Sequence, residues 1–251
     1  MIKAADVRIG QEKIKIKGIG FDKDGTLFDS VKFWSYIDRI RKRNFLETAG
    51  SVAEADWEST MGFVQPDTVD HNGVLAIATM DEEILLTAGL IYKWRKLPWH
   101  ECKKQAKEIF SQADKMLKLE EAFQTHAGVP EIFHRLYENQ VPAGILTSDA
   151  YQRTESLMKM LGIKEMLQFI ITPEQVANGK PNPEMVIKAC GLLDISPFEF
   201  MVVGDSIVDM KMAKAAGSIA VGLVTYDGSE QLLAQDADYL IRAITDIAVG
   251  S

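Results

Sequence analysis

The sequence predicts an α/β fold, a doubly wound, Rossmann-like parallel sheet with an all-helical domain inserted after its first strand. From Gly128 onward, short apolar runs alternate with helical segments, which is typical of parallel strands covered by helices. We assign the apolar run over 16–21 to the same sheet. Residues 31–126, which separate these two parts, carry helical periodicity and are therefore predicted to be an insertion.

Local patterns predict the elements before Gly128. Residues 7–16 alternate apolar and polar side chains, which indicates a small hairpin or edge strand leading into the first core strand. Thr79 and Glu82 have the spacing of a capping box, and Pro98 suits the first turn of a helix. The insertion is predicted to hold helices from about 31, over 52–61, over 79–96 and over 98–123, with turns at 65–67 and 72–73.

The second part of the chain is predicted as alternating helices and strands. The helices are expected over 130–139, 151–161, 183–193 and 207–216. The strands are expected over 141–146, 167–171, 200–203 and 219–224, with a short segment near 239–241.

Polar side chains follow several of these strands at the point where each strand ends. Asp22 and Asp24, with Gly25 behind them, follow the first strand, while Thr147 and Asp205 follow two later ones. In open parallel sheets, ligands bind at the carboxyl ends of the strands. Two close carboxylates tend to hold different protonation states unless a cation lies between them. The bland alternatives are a solvated Asp-Gly turn and ordinary helix caps.

Composition narrows the classes of function. The chain has 251 residues, of which 47% are apolar and 25% charged, and this composition is ordinary for a globular protein. Its formal net charge of -8 argues against nucleic acid or a membrane surface as the main partner. A small anionic substrate stays compatible with this charge. Cys102 and Cys190 are too few for a disulfide scaffold, so we expect a cytoplasmic protein with reduced thiols. The expected oligomeric state is a monomer or a homodimer. Neither a signal peptide nor a membrane-length apolar run is seen.

Four stretches taken together resemble, in order and spacing, the four motifs of the haloacid dehalogenase superfamily. The likeness is greatest to its phosphoglycolate phosphatase-like members and covers about residues 16–241. The stretches are Asp22-Lys23-Asp24-Gly25-Thr26-Leu27, Ile145-Leu146-Thr147-Ser148-Asp149, Gly179-Lys180-Pro181-Asn182-Pro183 and Val202-Val203-Gly204-Asp205-Ser206-Ile207-Val208-Asp209.

This resemblance implies a role for each matched residue. Asp22 is expected to be the nucleophile that forms an aspartyl-phosphate, and Asp24 the general acid and base. Thr147 and Ser148 are expected to bind the phosphoryl group, while Lys180 neutralises developing charge.

The resemblance also implies a magnesium site. Its expected ligands are Asp22, the backbone carbonyl of Asp24 and Asp205, with Asp209 acting directly or through water. Lys23 is interpreted as a local variation whose backbone matters more than its side chain.

The implied function is Mg²⁺-dependent hydrolysis of a small phosphomonoester, with phosphoglycolate as the nearest named substrate. A carboxylate at Asp24 favours phosphate esters, because the dehalogenases, phosphonatases and transport ATPases of the superfamily lack one there. A sugar phosphomutase of the beta-phosphoglucomutase type is the alternative enzyme, and a non-catalytic binding or regulatory protein is the alternative of another class. The implied domains are a phosphatase core, 1–30 and 127–251, and a helical cap, 31–126.

Overall fold

The protein is described by a computed structural model, which covers residues 2–65, 68–71 and 73–250. The chain divides into two compact units, one made of Met1–Phe28 with Thr125–Ser251 and the other of Asp29–Gln124. The predicted domain boundaries lie two residues further along the chain at both junctions.

The elements of both units are numbered along the chain. The strands are β1 Ala5–Ile9, β2 Glu12–Ile16, β3 Gly18–Phe21, β4 Phe63–Gln65, β5 Thr68–Val69, β6 Ala143–Leu146, β7 Leu167–Ile171, β8 Phe200–Gly204, β9 Ile219–Leu223, β10 Tyr239–Ile241 and β11 Ile247–Val249. The helices are α1 Ser30–Ala49, α2 Glu54–Met61, α3 Val74–Ile77, α4 Met80–Arg95, α5 Trp99–Met116, α6 Leu119–Ala122, α7 Val129–Glu138, α8 Tyr151–Met160, α9 Glu184–Leu193, α10 Ile207–Ala216 and α11 Ser229–Leu233.

The larger unit is built on a parallel sheet, which confirms the predicted fold class. Its described strands run in the order β10-β9-β8-β3-β6-β7. The central strand β3 is buried along its whole length, as the nearly continuous apolar sequence of a strand covered on both faces requires. Phe21 pairs with Ile145 of β6 and Val203 of β8, so these three strands end side by side.

A second, smaller sheet lies in the same unit. Strand β1 pairs antiparallel with β2 and with β11, in the order β11-β1-β2. The predicted hairpin is thus confirmed, but its pairing with the C-terminal strand was not predicted. Strand β11 and helix α11 escaped prediction because both are very short.

The core of the larger unit explains its helix pattern. Helices α9 and α10 bury apolar side chains against the sheet, including Met185, Val186 and Met210, which pack in one cluster with Phe200 and Val202. The predicted helix over 207–216 and the predicted strand over 167–171 agree with α10 and β7 at both ends.

The smaller unit requires two corrections to the prediction of an all-helical insertion. Strands β4 and β5 form a short antiparallel pair, in a sequence stretch where β-branched residues favour extended backbone. The helix after Pro98 ends at Met116, because Leu117 is extended, and the chain resumes as α6. The predicted turn positions 66, 67 and 72 lie outside the described residues.

Helix α4 begins as predicted. The Thr79 backbone N–H donates to Glu82 Oε2 at 2.7 Å, and the Glu82 N–H donates to Thr79 Oγ1 at 3.4 Å. This reciprocal pair satisfies two of the N–H groups that the first turn of a helix leaves open.

A buried carboxylate lies in the core of the smaller unit. Asp38 accepts a hydrogen bond from Trp57 Nε1 at 2.8 Å, and its side chain is almost fully buried. Burial raises the pKa of Asp38 to about 6, although the Trp57 hydrogen bond and nearby Lys42 and Arg41 oppose the rise. Protonated Asp38 therefore stabilises the folded protein. This contribution to the free energy of unfolding is fully present below the ordinary carboxyl pKa and is lost as the pH rises through about 6.

We predict that Asp38→Asn removes this pH dependence. Between about pH 4 and about pH 7, the wild-type protein should lose about 2 to 3 kcal/mol of unfolding free energy relative to the variant. Urea unfolding at a series of pH values measures this difference. Glu108→Gln, at an exposed position of α5, is the control and should follow the wild-type profile. A constant gap between wild type and Asp38→Asn across the range would contradict the assignment.

Candidate active site

The site lies at the carboxyl edge of the parallel sheet, as its register dictates. Asp22 follows β3 directly, and its N–H donates to the Val203 carbonyl at 2.8 Å, which continues the ladder by one residue. Thr147 follows β6 and Asp205 follows β8. All three side chains are buried, so the sheet holds polar groups where few water molecules can solvate them.

Lys180 joins two of the carboxylates. Its Nζ lies 2.5 Å from Asp22 Oδ1 and 2.6 Å from Asp209 Oδ1, and only 3% of its side chain is exposed. Burial alone would lower the pKa of Lys180, but Asp209 and Asp22 outweigh it and raise the pKa above its ordinary value. The ammonium group therefore stays charged. The site thus has a fixed cation between Asp22 and Asp209.

Three carboxylates converge beside this lysine. Asp22, Asp205 and Asp209 each offer one oxygen, and these oxygens lie within 4.8 Å of one another. Burial raises the pKa of Asp22 to about 7 against the effect of Lys180, with Asp209 and Asp24 adding to the rise. Burial, then Asp22 and Asp209, also raise the pKa of Asp205 well above its usual range. Such a cluster of buried oxygen ligands could hold a hard metal cation.

Local contacts fix the direction of the other two carboxylates. Thr26 Oγ1 donates to Asp205 Oδ1 at 3.1 Å. Ser206 is the N-cap of α10, and its Oγ and N–H donate to Asp209 Oδ2 at 2.5 and 3.2 Å. Ser206 thus lies at the turn from β8 into α10, and while its cap holds Oδ2 of Asp209, the other oxygen, Oδ1, contacts Lys180.

Two glycines make room for these carboxylates. A Cβ atom at Gly25 would lie 2.0 Å from Asp205 Oδ2. Gly25 also has a φ of 86°, a backbone angle that residues with a side chain rarely adopt. A Cβ atom at Gly204 would lie 2.5 Å from the side chain of Asp209. The cluster therefore depends on missing side chains as well as on the acidic ones.

Asp24 lies in a different set of contacts. Lys23 Nζ is 2.6 Å from Asp24 Oδ1 and 3.0 Å from Asp149 Oδ2, and the Lys23 side chain is fully buried. The Lys23 side chain thus has two charged partners. The interpretation of Lys23 as a local variation, whose backbone matters more than its side chain, did not anticipate them, because Asp149 comes from a distant part of the chain.

Asp149 is itself held by a second cation. Arg153 donates from Nε to both carboxylate oxygens, at 2.9 and 3.0 Å, and its Nη2 lies 2.8 Å from Oδ1. Burial would raise the pKa of Asp149, but Arg153 and Lys23 outweigh it and hold the pKa well below its usual range. Burial raises the pKa of Asp24 in spite of Lys23, with Asp149 adding to the rise.

The predicted phosphate-binding pair is at the same edge of the sheet. Thr147 donates its N–H to the Ile171 carbonyl, and its Oγ1 accepts from the Asp149 N–H at 3.1 Å. Ser148 is half-buried. Helix α8 begins after Ala150 without a side-chain cap, so the helix-cap alternative does not account for Thr147 and Ser148.

The predicted site residues thus occupy one edge of the sheet, in two sets. Lys180 links Asp22 to Asp209, and Lys23 binds Asp24. The carboxylate of Asp24 is not part of the three-carboxylate cluster, and its backbone carbonyl as a metal ligand stays a prediction. Sequence analysis gave Asp149 no role of its own and missed Arg153, although their opposite charges, four residues apart at the start of α8, were a usable signal.

Comparison with known proteins agrees with this geometry. Residues 16–217 match the family described as haloacid dehalogenase-like hydrolase. The chain belongs to this family. The predicted resemblance is therefore confirmed for most of the chain length, and the sheet with its four motifs is the family's fold.

Relatives and solved structures of this family are similar over different lengths. Validoxylamine A 7'-phosphate phosphatase of Streptomyces hygroscopicus subsp. limoneus is 35% identical over 48% of this chain and 55% of its own. The match thus spans about half of that relative. Phosphoglycolate phosphatase of Shigella boydii is 24% identical over 92% of this chain and 91% of its own.

A crystal structure shows the same fold. It is that of a predicted phosphoglycolate phosphatase from Haemophilus somnus 129pt, with a TM-score of 0.67, 19% identity, and coverage of 92% of this chain and 96% of that one. In the part of our chain that the structure describes, every helix is too short or too polar to span a membrane.

We predict that Gly25→Ala displaces Asp205 and destabilises the protein. The added methyl group meets the carboxylate, so overpacking of about 1 to 3 kcal/mol adds to the cost of a positive φ. Gly217→Ala is the matched control, because Gly217 also has a positive φ, 75°, but no neighbouring atom within 4 Å of its Cβ position. Urea unfolding should show a larger loss for Gly25→Ala. Equal losses for the two variants would show that Asp205 yields without cost.

Proposed function

We propose that this protein hydrolyses a small phosphomonoester through an aspartyl-phosphate, with Mg²⁺ as its metal ion. The observation that carries the proposal is Asp22, a buried carboxylate that contacts Lys180 and lies beside Asp205 and Asp209. A nucleophilic carboxylate needs a neighbouring cation where it meets a negatively charged phosphate.

In the first step, an oxygen of Asp22 attacks the phosphorus atom. The bond between phosphorus and the ester oxygen breaks, its electron pair stays on that oxygen, and protonated Asp24 transfers its proton there. An alcohol leaves, and the phosphoryl group remains on Asp22. Lys180 offsets the negative charge that gathers on the phosphoryl oxygens.

In the second step, water attacks the phosphorus of the aspartyl-phosphate. The carboxylate of Asp24 accepts a proton from this water, and the bond from phosphorus to Asp22 breaks. Inorganic phosphate leaves, Asp22 is ionised again, and Asp24 is protonated for the next cycle. Thr147 and Ser148, at the end of β6, are proposed to donate hydrogen bonds to the phosphoryl oxygens.

The donor set fits a magnesium ion. Asp22, Asp205 and Asp209 offer hard oxygen ligands at one buried point, and the absence of a side chain at Gly25 leaves room for the carboxylate of Asp205. We propose Asp22 and Asp205 as ligands with the backbone carbonyl of Asp24, and Asp209 as a ligand directly or through water. A bound ion would offset the charge of the carboxylates and polarise the phosphoryl oxygens.

The relatives support a small phosphorylated metabolite as substrate. Two of the matched proteins are named as phosphatases of validoxylamine A 7'-phosphate and of phosphoglycolate, and others are named as pyrophosphatases. Phosphoglycolate is therefore the first ester to test. We propose that the unit Asp29–Gln124 selects the leaving group as a cap domain, and that the protein acts in the cytoplasm.

The proposal is tested first with Asp22→Asn. We expect phosphate release from a panel of esters by the wild-type protein with Mg²⁺, and none above background by the variant, because an amide does not attack phosphorus. Malachite green detection measures release, and thermal unfolding checks that the variant is folded. Mg²⁺ removal by a chelator should stop the wild-type reaction. Wild-type turnover in the purified variant would refute the nucleophile.

The same assay separates the alternatives. A sugar phosphomutase would convert a phosphorylated sugar into its isomer and release little phosphate. A non-catalytic binding protein would release none from any ester and would leave no phosphoryl group on Asp22, which mass spectrometry of the quenched protein detects.

We predict that Asp24→Asn slows leaving-group departure. The loss of a proton donor should cost roughly 10²-fold or more in kcat for an alkyl phosphate. The loss should be smaller for aspartyl-phosphate formation from p-nitrophenyl phosphate, because p-nitrophenolate leaves without a proton. Rapid-quench measurement of that step compares the two esters. Equal losses for both would remove Asp24 from the role of acid.

A further inference from the structure

We propose that Lys23 is a positioning residue, which holds Asp24 by an ion pair so that one carboxylate oxygen faces the leaving group. The proposal rests on the function proposed above, since it assigns the way in which Asp24 is aimed. It joins Lys23 and Asp24 of the first motif to Asp149 of the second and to Arg153, which lies outside the motifs, in one buried network.

The burial of Lys23 is the first observation. Its side chain has no exposed surface, although lysine is among the residues that are least often buried. Burial of an ammonium group is costly unless it is paired, and apolar side chains of similar size usually cost less at such positions. A lysine here therefore points to a task for its charge rather than to packing.

The order of charges is the second observation. Arg153, Asp149, Lys23 and Asp24 alternate in sign along a chain of contacts from 2.6 to 3.0 Å. Arg153 already offers Asp149 a bidentate contact, which is the strongest geometry for a carboxylate. Asp149, which Arg153 holds in place, therefore fixes the position of the Lys23 ammonium group, and this group also contacts Asp24.

The exposure of Asp24 is the third observation. Its side chain is 18% exposed, whereas Lys23 is fully buried and Asp149 is 9% exposed. The contact with Lys23 is made by Oδ1 of Asp24. The buried Lys23 ammonium group thus holds Oδ1. Oδ2 is then the oxygen that gives the proton to the leaving alcohol and later accepts a proton from water.

The arrangement also separates the two functional carboxylates. Asp22 is bound by Lys180, and Asp24 is bound by Lys23. Each of the two carboxylates is thus paired with a different lysine. An ion pair that fixes a side chain keeps it within the small range of positions in which proton transfer is efficient.

The test is Lys23→Met, which keeps chain length and removes the charge. Crystal structures of wild type and variant report the position of Asp24. We expect the carboxylate to leave its wild-type position, or to occupy several, in the variant. We also expect kcat for an alkyl phosphate to fall about 10-fold more than aspartyl-phosphate formation from p-nitrophenyl phosphate, with KM nearly unchanged.

A combined variant distinguishes positioning from a general structural effect. If Lys23 acts through Asp24, adding Lys23→Met to Asp24→Asn should leave the ratio between the two esters unchanged. Lys17→Met is the matched control, because Lys17 makes a half-buried ion pair with Glu199 at 2.7 Å outside the site. This control should leave Asp24 in place and the ratio unaltered.

Where Lys23→Met alone does not fold, Lys23→Met combined with Asp149→Asn removes the surplus negative charge and answers the same question. An Asp24 carboxylate that keeps its single wild-type position without Lys23 overturns the proposal, whatever the kinetics. Failure of the wild-type protein to cleave any ester would instead overturn the proposed function, and the crystal structures would still decide whether Lys23 positions Asp24.

Discussion

The contact of the Lys180 ammonium group with Asp22 and Asp209 is the interaction on which the site depends. Three carboxylates lie within 4.8 Å of one another at the end of a buried sheet, where water screens their charges poorly. Without a cation, they could stay together only by taking up protons. Lys180 supplies a positive charge from a loop, the ends of β3 and β8 supply Asp22 and Asp205, and the first turn of α10 supplies Asp209.

A second set of alternating charges lies at the same edge of the sheet, around Lys23. Asp24 and Asp149 share Lys23, and Asp149 also binds Arg153. Both halves of the site therefore alternate charges in the interior, where a lone charge is expensive but a satisfied network is rigid. Two glycines contribute to this close packing, since Asp205 and Asp209 fill the space that side chains at Gly25 and Gly204 would take.

Local patterns were sufficient to predict the sheet and the strand ends at which Asp22, Thr147 and Asp205 lie. The place of Lys180 followed only from the resemblance to a family, because no local pattern links a loop lysine to Asp22. The contacts of the Lys23 side chain were not predicted for a similar reason, since its partner Asp149 follows another strand. The short strands β4, β5 and β11 have too few residues to show an alternating pattern.

The discontinuous course of the larger unit has a consequence for the order of folding. The central strand β3 is synthesised early, but its neighbours β6 and β8 follow only after the whole of Asp29–Gln124. The smaller unit is continuous and rich in local helical contacts, which form quickly. It can therefore fold on the ribosome while β3, which precedes it in the chain, still lacks both of its neighbouring strands. During that interval an apolar segment that ends at Asp22 is open to wrong pairing, and chaperones are the usual protection for such a segment.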